Sequence, residues 1–227
     1  MSVAVVTGAG RGIGRAIALR LAARGCDVAL LARTVEQIES AASEVVALGR
    51  RAIALRCDVA NAGEVSRAGE HILAELGVPR VVVANAGIVR RALVAEMAEE
   101  DWDAVLDVNL KGTFLLARTL LPSMLRAKRG RFIAVASISS TLGTPRLSAY
   151  CAAKWGLVGF VKSLAEELRG HGLQAMSVLP GSVDTEMLRG GEFKPVMTPD
   201  EVAGLVAYAA LDAPDGMNGS AIEMFGP

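Results

Sequence analysis

Val3-Ala4-Val5-Val6-Thr7-Gly8-Ala9-Gly10-Arg11-Gly12-Ile13-Gly14 opens the chain with an apolar run, a glycine-rich turn and the start of a helical period. The apolar run reads as a buried strand, and the glycines let the turn bring backbone close to a ligand. A helix that begins directly after such a turn offers free N–H groups and the positive end of its dipole to a diphosphate. The spacing (glycine, three residues, glycine, one residue, glycine) differs from the G-x-G-x-x-G dinucleotide fingerprint, and no Gly-Lys-Ser/Thr follows to make a P-loop. A plain tight turn is the alternative reading; the strand-turn-helix context argues for the ligand-binding one.

Working outward, short β-branched runs recur at 28–31, 52–55, 81–83, 132–135 and 175–178, with a last one near 221–224. They show no polar alternation, so each is apolar on both faces and needs helices above and below it. That pattern predicts a parallel doubly wound sheet in an α/β protein. Segments of helical period lie between, at 12–24, 35–48, 62–76, 102–127, 149–169 and 199–210. Leu19, Leu21, Ala22 and Ala23 are expected to face the sheet, with Gly25 ending the first helix. Arg189-Gly190-Gly191-Glu192-Phe193-Lys194-Pro195 is expected to form a flexible loop bordering the site, because ligands of open α/β sheets sit beyond the carboxyl ends of the strands.

The 227 residues suit one domain with a large core, and no linker, repeat or low-complexity tract divides them. Lys+Arg and Asp+Glu balance at 24 each, which argues against nucleic acid or an anionic membrane as partner and for a small ligand. Cys26, Cys57 and Cys151 lie far apart, without CxxC spacing, so neither a disulfide framework nor a thiolate metal site is expected. His71 and His171 have no neighbours at ligand spacing, and no metal is expected. With no apolar run of about 18 to 20 residues and no signal-peptide pattern, a cytoplasmic protein is expected.

Tyr150 and Lys154 stand at i and i+4, one face of one helix, where the ammonium charge is expected to favour the phenolate and make the phenol a usable acid or base. At the end of the second strand Ala32 stands where an NAD-preferring protein places an acidic residue. Arg33, helped by Arg11, is expected instead to meet the 2′-phosphate of NADP(H), with NAD(H) as the weaker candidate; solvated surface arginines are the alternative.

These residues resemble the short-chain dehydrogenase/reductase family. The motifs that carry the resemblance are Gly8-x-x-x-Gly12-x-Gly14, Cys57-Asp58-Val59, Asn85-Ala86-Gly87, Asn109, Ser137, Tyr150-x-x-x-Lys154 and Pro180-Gly181-Ser182-Val183-Asp184-Thr185. They occur in the family's order and extend the match from Val3 to about Phe225. The resemblance implies a single-domain Rossmann-type doubly wound parallel sheet over 1–227, about seven strands in the order 3-2-1-4-5-6-7, helices on both faces, and a substrate loop at about 184–198. It implies that Gly8, Gly10, Arg11, Gly12, Ile13 and Gly14 cradle the cofactor. Asp58 and Val59 would meet the adenine, Asn85, Ala86 and Gly87 would line the adenosine side, and Pro180, Gly181, Val183 and Thr185 the nicotinamide carboxamide. Family members often carry a second asparagine where this chain has Ala84, which removes one hydrogen bond near the sheet edge.

For a ketone, the same resemblance implies that Tyr150 donates the proton and that Ser137 steadies the carbonyl oxygen. Lys154 would tune Tyr150 and hold the nicotinamide ribose, and Asn109 would bind a relay water. Within the family the segment Asn85 to Arg90, the basic run Lys128-Arg129-Gly130-Arg131 and the Pro180 segment look most like 3-oxoacyl-acyl-carrier-protein reductases. Those reduce a β-keto thioester with NADPH, and basic surface near the pocket mouth receives an acidic carrier. The connection 186–198 is short for them. Leu142, Thr144, Leu147, Met187 and Leu188 are candidate pocket residues, with plain core positions as the alternative. Other ketones or alcohols (polyketide, sugar, steroid-like) and a non-catalytic NADP sensor stay open, and a homo-oligomer, dimer or tetramer, is expected.

Overall fold

The computed structural model describes residues 2–189 and 193–226. Seven strands form one parallel sheet: β1 (Ser2–Thr7), β2 (Cys26–Ala32), β3 (Ala52–Arg56), β4 (Val81–Ala84), β5 (Gly130–Val135), β6 (Leu173–Pro180) and β7 (Ala221–Met224). Their order is β3-β2-β1-β4-β5-β6-β7, as expected from the sequence. Register is in step across the centre, with Val6 opposite Leu30 on one side and Val83 on the other.

Alternate residues of each strand feed two separate cores, the consequence of a two-residue side-chain period in strands covered on both faces. Ala4, Val6, Val28, Leu30, Val83, Ile133 and Val178 pack under α1 (Gly12–Ala23), α2 (Val35–Ala47) and α7 (Pro199–Leu211). Val5, Ala29, Leu31, Val82, Phe132, Ala134 and Leu179 pack under α3 (Ala62–Glu75), α5 (Gly112–Ala127) and α6 (Ser148–Glu167). A small third cluster sets Val105 and Trp102 of α4 (Glu99–Leu106) against Ala149, Ala153 and Tyr150. None of the described helices is long and apolar enough to cross a membrane.

Two local expectations change. In α1 the buried face is Ile17, Ala18, Leu21 and Ala22; Leu19 is half-buried and Ala23 is exposed, two residues before the αL turn at Gly25 (φ 88°). The helix expected at 102–127 begins earlier, where Glu99, Glu100 and Asp101 suit the positive end of the dipole. It is also interrupted by a π-helical turn, Asp107–Lys111. Of the loop expected at 189–195, residues 190–192 lie outside the described residues. Its flanks meet through a parallel bridge between Val183 and Met197.

Candidate active site

The strand order reverses between β1 and β4, so a crevice opens at their carboxyl ends. Thr7 closes β1, and its hydroxyl accepts from the backbone N–H of Asn85 (3.0 Å) and of Ala86 (3.1 Å). The Asn85 side-chain amide returns a bond to the Thr7 carbonyl at 2.9 Å. This knot ties the two strand ends together beside Ala84. It engages the Asn85 side chain with protein backbone, and it gives Thr7 a part that nothing in its sequence context marks.

Gly8 and Gly12 adopt φ of 65° and 51°, which L side chains rarely take. Gly14 is needed for a different reason: a Cβ there would overlap the Gly8 carbonyl oxygen, so the start of α1 rests on the turn itself. Gly10 lies against Gln37, 2.8 Å from where its Cβ would be, and Ile13 packs on the first core. At the N-terminus of α1, Arg11 makes no side-chain cap, which leaves the first N–H groups to a ligand such as a diphosphate. These features fit a dinucleotide.

Around this cradle, Arg33 is exposed after β2, and the Arg11 guanidinium rests on the Glu186 carboxylate. Asp58 accepts from the Ala60 N–H at 3.0 Å, while its own N–H is held by Glu64. Val59 is buried against Gly112, with its Cγ2 2.9 Å from where a Cβ would stand. Beyond Pro180, Gly181 N–H donates to Met224 (2.8 Å). The Thr185 hydroxyl bonds the Val183 carbonyl, and its methyl lies 3.3 Å from a Cβ built on Gly12. The segment after β6 therefore touches the glycine turn across the crevice.

The catalytic candidates converge at the same end of the sheet. α6 carries Tyr150 and Lys154 on one face, and Lys154, 4% exposed, sends its Nζ to the Val135 carbonyl at 2.8 Å. Asn109 sits in the π turn. A π turn bonds to the residue five back, which frees the carbonyl four back; the Asn109 side-chain amide takes it, donating to Val105 (2.8 Å) and to Ile88 (2.9 Å). Its Oδ1 is buried with no protein partner, an acceptor that calls for a water or a ligand group. Gly87 separates the pair: a Cβ there would be 2.6 Å from Asn109 Oδ1 and 3.8 Å from Lys154 Nζ.

The electrostatics correct one expectation. Lys154 lies over the Tyr150 ring, 5.6 Å from its centroid. Burial pushes the Tyr150 phenol above its ordinary pKa, and the Ser137 hydroxyl is the main group working against that rise. Burial pushes the Lys154 amine down to about 8. The phenol is thus kept as an acid at neutral pH, by desolvation rather than lowered by the lysine. Ser137, which begins a 3-10 turn, is held by the Ser139 N–H at 3.1 Å.

Leu142 and Met187 are exposed and Thr144, Leu147 and Leu188 half-buried, so none is a core position. The basic run Lys128–Arg131 lies at the amino end of β5, away from the crevice within this chain, and Arg131 bonds carbonyls at the end of α7. It is not at the pocket mouth, because a strand that begins there must run the length of the sheet to reach the site. Sequence reasoning missed Arg91 as well as Thr7: its guanidinium bonds the Met187 carbonyl at 3.0 Å, and its charge is felt at Tyr150.

Residues 2–192 match the family model described as short chain dehydrogenase. The chain is 39% identical to a 3-oxoacyl-[acyl-carrier-protein] reductase of Synechocystis sp. over 92% of its own length and 89% of that protein's. It is 37% identical to nodulation protein G of Rhizobium meliloti, covering 98% and 95%. Among solved structures, a short-chain type dehydrogenase/reductase from Mycobacterium marinum superposes with a TM-score of 0.94 at 32% identity, covering 99% of this chain and 94% of that one.

Proposed function

Since this chain belongs to the short chain dehydrogenase family, and so is an oxidoreductase acting on alcohol and ketone groups, we propose that it reduces 3-oxoacyl thioesters with NADPH. The observation that carries the reading is that Asn109 and Lys154 flank Gly87 while Ser137 and Lys154 lie against Tyr150, next to a glycine turn suited to a diphosphate. Bound NADPH would supply the hydride.

This chain's residues do the rest. Tyr150, kept protonated by burial, gives its proton to the ketone oxygen, and Ser137 donates a hydrogen bond to the same oxygen as charge develops. Lys154 holds the ribose hydroxyls and, through a water on Asn109 Oδ1, returns a proton toward Tyr150. Gly8, Gly10, Gly12, Ile13 and Gly14 cradle the diphosphate. Arg33 and Arg11 take the 2′-phosphate, while Asp58, Val59, Asn85, Ala86 and Gly87 line the adenosine and Pro180, Gly181, Val183 and Thr185 the carboxamide.

The acyl thioester is favoured by the similarity to the Synechocystis protein named as a 3-oxoacyl-[acyl-carrier-protein] reductase. Exposed Phe114 on α5 and Trp155 on α6 support a homo-oligomer, dimer or tetramer, formed through those helices. Following NADPH and NADH absorbance with a 3-oxoacyl thioester tests the function. Turnover is expected with NADPH preferred, and the preference should fall in Arg33→Asp. NADPH binding without turnover of any ketone would favour a sensor, and equal use of both coenzymes would remove the 2′-phosphate argument.

A further inference from the structure

We propose that Arg91 selects the substrate: its guanidinium grips a second oxygen two carbons from the reacting carbonyl, so that 3-oxoacyl compounds are taken in preference to simple ketones. This rests on the reductase reading above and deepens it.

Three segments meet near the start of α6, which carries Tyr150: the one after β4, residues 141–147, and the one after β6. They are tied to one another. Ala92 N–H donates to the Arg146 carbonyl (3.1 Å), and Arg91 Nη2 reaches across to the Met187 carbonyl (3.0 Å). A guanidinium has five N–H donors, and this carbonyl uses one.

Among the described residues no carboxylate lies within ion-pair distance of Arg91. Asp101 is taken by Arg90 (2.9 Å), and Glu186, next to Met187, is taken by Arg11. Yet Arg91 is partly buried. A partly exposed guanidinium with unused donors and, among the described residues, no counter-charge is free to take up an acceptor atom. Such a group at the lip of a catalytic pocket is a receptor for an acceptor atom.

The position of the charge narrows the acceptor. Arg91 precedes Ala92, whose N–H holds the Arg146 carbonyl just ahead of α6 and Tyr150, and its charge favours the ionised form of Tyr150, so the two side chains belong to neighbouring segments at the site. A 3-oxoacyl compound places an oxygen in the 1,3 relation to its ketone, as the thioester carbonyl or as the carboxylate of the free acid; a planar guanidinium fork suits either.

NADPH absorbance assays on wild type, Arg91→Met and Arg91→Lys would compare an acetoacetyl thioester of N-acetylcysteamine, acetoacetate, and a monoketone activated by fluorine. In Arg91→Met we expect kcat/KM to fall about 100-fold for the two dicarbonyls and to hold within about threefold for the monoketone. NADPH affinity by fluorescence titration should be unchanged, and Arg91→Lys should recover part of the loss. A larger loss for acetoacetate would assign the carboxylate as the preferred partner, and a larger loss for the thioester its carbonyl. Equal losses on all three would mean that Arg91 merely holds the Met187 segment, and the proposal would fail; no loss would also sink it. If wild type binds NADPH but reduces none of the three, the reductase reading itself fails and this inference falls with it.

Discussion

The two ends of the parallel sheet treat buried charge in opposite ways. At the amino end, Asp27 is answered by the Arg50 guanidinium at 2.6 Å and by the Arg51 N–H at 3.0 Å. Arg131 bonds the carbonyls of Ala209 and Ala213 at the end of α7 and reaches the Asp215 carboxylate at 3.9 Å. At the carboxyl end, Lys154 has a single backbone carbonyl, Asn109 keeps a buried acceptor without a partner, and Arg91 has a carbonyl but, among the described residues, no carboxylate. Arg50 Nε and Gln174 Oε1 lack partners at the amino end too, so the contrast concerns charge rather than every polar atom. Charge met by opposite charge holds the fold; charge left short is where a ligand completes the set.

The largest expected effect breaks the carboxyl end chemically. Tyr150→Phe removes one oxygen and should lower kcat about 1,000-fold while leaving NADPH affinity and the melting temperature nearly unchanged. Near-normal turnover would mean that another group supplies the proton.

A change at the other end should show the reverse pattern. Asp27→Ala leaves the Arg50 charge without its partner and should cost about 3 kcal/mol in urea unfolding, with kcat unaffected at temperatures where the protein stays folded. A matching loss of kcat would show that the ends are coupled.

The smallest effect reads the unanswered lysine directly. The folded amine titrates near 8, below the ordinary lysine value of 10.5, so between those pH values the unfolded chain binds more protons than the folded one. Burial of the charged amine therefore weakens the fold in full below about pH 8, and the penalty is relieved as pH rises toward 10.5. Cys57, whose thiol is pushed up to about 11, works in the opposite sense above pH 9. Subtracting the profile of Lys154→Met from wild type cancels it. The cofactor-free wild type should gain about 1 kcal/mol on the mutant between pH 8 and pH 9. A flat difference would show that the amine is solvated, and the contrast between the two ends would lose its strongest member.

How far the fold could be read ahead of the coordinates depended on the element. The central strands β1, β2 and β4 were legible because burial on both faces demands nearly unbroken Val, Ala and Leu, a pattern that survives without knowing the neighbours. Helix interiors were legible, but not their details. Period alone could not see the π turn at Asp107–Lys111 or the exposure of Ala23, since both depend on what packs against the helix. Tyr150 and Lys154 stood out by spacing, whereas Thr7 and Arg91 carried no mark; their parts come from segments more than seventy residues away, Asn85 and Met187.

Residue order alone settled the alternation of strands and helices, the glycine turn and the i, i+4 pairing of phenol and amine, because each follows from local geometry that chain connectivity imposes. Tertiary structure decided the protonation sense of that pair, the orphaned acceptor of Asn109 and the placement of the basic run at the far end of the sheet. Desolvation and charge proximity are properties of surroundings assembled from distant parts of the chain, and spacing along it does not encode them.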